Sequence, residues 1–128
     1  MSINVNNVIV AGNLTRDPDL RYTANGTAVG AFVLAVNRKY LVNGEQKEEV
    51  SFVKVTVWGK QAENCGEYLQ KGSAVLVEGR IKQDRWEDES GSKKEKTGVT
   101  ANRVHFVGKP KGARQQGDNE GELEEIPF

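Results

Sequence analysis

Phe52, Lys54, Thr56 and Trp58 occupy alternate positions in SFVKVTVWGK (residues 51–60), with Val53, Val55 and Val57 between them. Successive side chains of an extended strand face opposite sides, so this stretch makes one strand with two unlike faces. The valine face suits a core. The other carries two aromatic rings, a cation and a hydroxyl in a row. Rings that stack on bases, interleaved with positive charge, are what a single-stranded nucleic acid requires of a protein. Aromatics are also common in strands for packing, so burial of Phe52 and Trp58 under another element or a second subunit is the competing reading.

The same combination recurs nearby. Tyr40 and Trp86 fall in polar hairpin segments flanking that face, and Arg38, Lys60, Arg80, Lys82 and Arg85 interleave with the rings. Stacking contributes ~1–3 kcal/mol per base whatever the base, and the cations add phosphate contacts and salt dependence. Any single lysine here reads more readily as a solvated surface residue than as a phosphate contact, so the inference rests on the set. Catalytic alternatives find little support. His105 is the only histidine and lies within a strand, and Cys65 is the only cysteine, on an apolar helix face without a base beside it. There is no Cys/His metal spacing, phosphate-binding glycine loop or serine-centred motif, so no cofactor is expected. The pairs Glu48-Glu49 and Glu124-Glu125 lie in a hairpin and a tail, where nothing fixes two carboxylates around a substrate.

These residues need a sheet to hold them. Residues 4–12 read as a first strand, followed by a turn and a short extended piece at Arg21 and Tyr22. Residues 28–38 are apolar on both faces, as a mid-sheet strand should be, and Asn43-Gly44 signals a hairpin back into residues 51–58. Ala62, Cys65 and Leu69 fall at helical spacing, ended by Lys71-Gly72. Residues 73–83 form a fourth strand with Val75, Val77 and Ile81 expected inward and Arg80 and Lys82 outward. Residues 84–96 make a polar hairpin turning near Ser90-Gly91. Residues 97–107 form a fifth strand whose parity shift between Ala101 and Val104 implies a bulge. Three strands, a helix and two strands give an all-β class, the order of an OB-fold: a five-stranded barrel with one short helix between strands three and four.

The 128 residues carry zero net charge, unevenly distributed. Residues 1–117 hold all 18 basic residues against 13 acidic, a net +5, and residues 118–128 hold the other five acids and no base. The expected organisation is a basic domain over residues 1–107, then a flexible linker and acidic tail over residues 108–128. About 14 linker residues give a mean reach of ~20 Å. The tail closes with Glu122, Leu123, Glu124, Glu125, Ile126, Pro127 and Phe128. A terminal ring and carboxylate on a tether can be captured by a hydrophobic pocket with a basic rim. The N-terminus lacks signal-peptide features, no apolar run is long enough to span a bilayer, and a lone cysteine excludes an intrachain disulfide, so a cytoplasmic protein with no membrane association is expected.

VIVAGNLTRDPDLRYTANGTAV (residues 8–29), VTVWGKQAENCGEYLQKGSAVLVEGRI (residues 55–81), DRWEDESG (residues 84–91) and the closing EEIPF together resemble the bacterial single-stranded DNA-binding protein family. The resemblance implies an OB-fold homotetramer that wraps single-stranded DNA. It also implies a tail that recruits enzymes of replication, recombination and repair. On the family's pattern the stacking rings are Tyr40, Phe52, Trp58 and Trp86, and basic contacts fall on Arg21, Lys60, Lys71 and Arg85. Members often have Trp at the Tyr40 and Phe52 positions and Phe at the Trp58 position. The exchanges keep a flat ring. At the tip Glu124 and Glu125 replace the family's Asp, keeping the charge. An RNA-binding OB-fold, a nuclease and a tail-borne interaction scaffold are the rival readings, since stacking does not sense the 2′-hydroxyl.

Overall fold

Alternating burial along the strands sets the architecture. The computed structural model describes residues 1–108; the acidic tail and nearly all of the linker lie outside them. The elements are β1 (Val8–Leu14), β2 (Asp19–Tyr22), β3 (Ala28–Val42), β4 (Glu45–Trp58), α1 (Lys60–Tyr68), β5 (Ala74–Glu87) and β6 (Lys93–Val107). β1 pairs antiparallel with β5, β5 with β6 and β4 with β3, β6 lies parallel to β4, and β1 returns to β3 to close a five-stranded barrel. The short β2 adds to the outer edge of β3.

The core follows the parities expected from the sequence. Val55, Val57 and Val77 are fully buried and Val75 nearly so, packed with Leu14, Phe32 and Leu34. The helix offers Ala62 and Cys65 to the core, with Leu69 just beyond its end. Burial pushes the Cys65 thiol up to about 11, which leaves it protonated and unreactive near neutrality. Barrel closure depends on close backbone approach at Gly12, where a Cβ would lie 2.4 Å from the Ala35 carbonyl oxygen. The Asn43-Gly44 hairpin forms as read: both residues take positive φ, 52° and 82°, the pairing of conformations that matches strand twist in a two-residue turn.

Three expectations are corrected. The strands are longer than periodicity suggested: β3 runs to Val42 and β5 to Glu87, and β6 starts at Lys93, so the polar hairpins are mostly ladder. The first strand begins at Val8, although Asn6 extends it in effect, its side-chain amide bonding both the Ile81 N–H and the Ile81 carbonyl at 2.8 Å. Ile81 keeps inward parity but is 48% exposed, because β5 has by then passed the barrel's rim. The bulge is where the parity shift placed it. Glu78 faces Arg103 and Gly79 faces Ala101, leaving Asn102 without a ladder partner. Gln61 of α1 satisfies the freed groups, donating to the Asn102 carbonyl at 2.9 Å and accepting from the Val104 N–H at 2.8 Å.

Candidate nucleic-acid interface

The face opposite the buried valines of β4 is open. Phe52 is 68% exposed and Trp58 50%, with half-buried Lys54 and Thr56 between them. Six residues of strand separate the two rings by roughly 20 Å. The register extends this face sideways. Ala35, Val33, Ala31 and Val29 of β3 stand opposite Phe52, Lys54, Thr56 and Trp58. On the other flank Thr56 lies beside Thr100 of β6, and Arg80, Lys82, Asp84 and Trp86 of β5 stand opposite Thr100, Gly98, Lys96 and Lys94. Directly opposed residues share a face, so three strands contribute to one surface of rings and cations.

A groove of about 320 Å³ opens in it, lined by Lys54, Trp58, Arg80, Lys82, Asp84 and Lys96 among others. Four cations against one carboxylate favour an anion. The Lys96 ammonium beside Lys54 holds Lys54 below the ordinary lysine range, with partial burial adding to the effect and Asp84 opposing it. The hydrogen bond from Lys82 Nζ, 2.8 Å long, holds Asp84 below the usual carboxylate range.

The structure therefore brings Phe52, Lys54, Trp58, Arg80, Lys82 and Trp86 onto one side, and separates the other residues singled out from the sequence. Arg38 and Tyr40 have the opposite parity on β3, facing Glu49 and Lys47. The Arg38 guanidinium lies 4.6 Å from the Tyr40 ring centroid and 2.7 Å from the Glu49 carboxylate. Arg85 alternates with Trp86 and bonds Gln83 and Glu95. Arg21 pairs with Asp19 on β2, and Lys60 reaches Glu63 on α1. Lys71 follows the helix, its backbone N–H donating to Asp17. None of these last three lines the groove. His105 lies 3.5 Å from Glu78 in an exposed pair, and among the described residues no His/Cys/Asp/Glu group is arranged to hold a metal ion. No helix of the described residues is long and apolar enough to cross a membrane.

Lys96 and Asp84 were the residues the sequence reading passed over. Counting the β5–β6 register back from the turn would have found them, because Asp84 and Lys96 are opposed and share parity with Lys82 and Trp86.

Comparison with known proteins gives this geometry a lineage. The chain is 45% identical over 113 residues to a single-stranded DNA-binding protein of Halalkalibacterium halodurans, covering 88% of this chain and 66% of the relative. It is 44% identical over 124 residues to the single-stranded DNA-binding protein of Aquifex aeolicus, covering 96% and 82%. The chain thus spans about two thirds of the length of the first. Among solved structures, a Plasmodium falciparum SSB complex with ssDNA superposes with a TM-score of 0.78 at 22% identity, over 84% of this chain and 99% of the other, a likeness of fold. Residues 5–107 match the sequence profile of the single-strand binding protein family, and the chain belongs to that family.

Proposed function

We propose that this chain binds single-stranded DNA without reading its sequence and takes no catalytic part in the strand's chemistry. Phe52, Trp58 and Trp86 stack on bases, and Lys54, Arg80, Lys82 and Lys96 contact phosphates. The carrying observation is the row on β4: two large rings at least half exposed, on the far side of a strand whose Val55 and Val57 are completely buried, with a cationic groove alongside. Stacking tolerates any base, and the cations supply the salt-dependent part of affinity. Arg21, Arg38, Tyr40, Lys60, Lys71 and Arg85 extend the path of a longer strand around the barrel. The exposed carboxylate pairs of Arg21, Arg38, Lys60 and Arg85 are weak enough for phosphates to replace.

In this reading residues 1–107 are the binding domain and residues 108–128 the docking arm, whose Glu122, Glu124, Glu125, Ile126, Pro127 and Phe128 recruit proteins of replication, recombination and repair. The chain acts as a cytoplasmic homotetramer. Exposed Ile9 and the outer edge of β1, which meets β3 only at Asn13 and Leu14, support assembly.

The test uses the two tryptophans as reporters in titrations with oligo-dT, duplex of equal length and oligo-U, at low and high salt. Quenching by oligo-dT in preference to the other two, weakened in part by salt, is the expected result. Absence of quenching, or a preference for oligo-U, overturns it.

A further inference from the structure

One group in the groove has the wrong sign for a polyanion's binding site. Asp84 lies on the ring-bearing face of β5, two residues from Lys82 and two from Trp86, and directly opposite Lys96 on β6. Its carboxylate accepts a hydrogen bond from Lys82 Nζ at 2.8 Å, in a pair whose side chains are both more than half exposed. Lys54 enters the same groove from β4. Two of the amine groups, Lys54 and Lys96, sit side by side; the hydrogen bond from Lys96, then partial burial, then the Lys96 charge hold Lys54 below the ordinary lysine range. Such crowding of cations needs an anion among them, and in the free protein the carboxylate present is Asp84.

We propose that the groove between β4, β5 and β6 seats one phosphodiester group of the bound strand, and that Asp84 is its built-in competitor, a carboxylate that holds Lys82 in the free protein, in the groove that Lys54 and Lys96 also line, and yields it to the phosphate. The proposal rests on the reading of the chain as a single-stranded DNA binder and adds to it a named seat and a residue that lowers affinity. A phosphodiester carries the same single charge as a carboxylate, so it can replace Asp84 as the anion bonded to Lys82. The exchange costs little, because an exposed ion pair of this kind is weak. The consequence is a groove in which the phosphate meets a rival at Lys82, so release stays easy. The competing account is that Asp84 only ties Lys82 and Lys96 into the hairpin, and it predicts the opposite response to neutralisation.

The experiment compares the full-length chain with Asp84→Asn and Lys96→Gln. Anisotropy of labelled oligo-dT is measured from 50 to 200 mM NaCl, with thermal melts of each protein. Asparagine keeps the shape of Asp84 and removes the charge. Asp84→Asn should bind about 3–10-fold tighter at 50 mM salt, with a log K against log[salt] slope steeper by up to ~0.7, the value of one more single-strand phosphate contact. Lys96→Gln should bind more weakly, with a slope shallower by a similar amount, while both variants melt close to the parent. If the parent binds oligo-dT and Asp84→Asn binds equally or less tightly with an unchanged slope, the competitor role is refuted and the DNA-binding reading stands. If the parent does not bind oligo-dT, both are overturned.

Discussion

Truncation of the two β4 rings separates a binding face from a packing face within one strand. Phe52 is 68% exposed and Trp58 50%, so removing either ring gives up little buried surface. Phe52→Ala should therefore change unfolding free energy by no more than about 0.5 kcal/mol, and Trp58→Ala by slightly more. If each ring stacks on one base, each truncation forfeits ~1–3 kcal/mol of binding, a roughly 5- to 150-fold rise in Kd. Val55, three residues from each ring along the same strand and completely buried, provides the contrast. Val55→Ala removes two methylene equivalents, about 1.6 kcal/mol of transfer free energy, and leaves a cavity that brings the loss of stability to roughly 2 kcal/mol. While the domain stays folded, its DNA affinity should not change. The assays are anisotropy of labelled oligo-dT at fixed salt and urea unfolding of the same preparations. The reasoning fails if the ring truncations bind within twofold of the parent, or if they destabilise the protein as much as Val55→Ala does.

Gly12→Ala should cost about 3 kcal/mol or more, the upper end for overpacking, because its Cβ would collide with the Ala35 backbone at barrel closure; a urea midpoint unchanged from the parent would contradict this. Asp88 accepts hydrogen bonds from the Ser90 hydroxyl and from the Ser90 and Ser92 N–H groups, which hold it below the usual carboxylate range, the Ser90 hydroxyl foremost. A depressed folded value means this contribution to the β5–β6 turn is complete above the ordinary carboxylate value of about 3.9. It is lost as pH falls through the folded value. Exchange protection at the Ser90 and Ser92 amides should drop at low pH in the parent and show no such titration in Asp88→Asn. Deleting Phe128 should abolish capture of replication and repair proteins from a cell lysate while leaving oligo-dT affinity within twofold, and retained capture would count against the docking arm.

Much of this molecule is legible in its sequence, and the parts that are not share a cause. The valines of β4, the spacing of Ala62, Cys65 and Leu69, the Asn43-Gly44 turn and the Asn102 bulge are local patterns, and each appears in the fold where its periodicity put it. What periodicity alone misjudged depends on register between strands. Tyr40, in a hairpin segment, and Phe52, on the alternating strand, read as flanking one face. Pairing Val42 with Glu45 across the two-residue turn fixes every later rung, so Tyr40 opposes Lys47 while Phe52 opposes Ala35, on the other face. Asp84 and Lys96 were missed for the same reason. Ile81 was misplaced because parity reports direction but not where a strand leaves the barrel, and the Gln61 clamp on Asn102 joins residues 41 apart, beyond any local signal.

The barrel is joined from two ribbons by very short seams. β3–β4 and β5–β6 pair along their whole lengths, yet the ribbons meet each other only where Val55 lies beside Val99 and Thr56 beside Thr100, and β1 reaches β3 only at Asn13 and Leu14. Each ribbon connects neighbours in sequence through a tight turn, so it should form in microseconds, whereas the seams join distant segments and bear the loop-closure entropy. The folding transition state should then contain formed ribbons and unformed seams, with the Gly12 and Thr56 regions locking last. Unfolding should run in reverse, the barrel parting at its seams while both ribbons are still zipped.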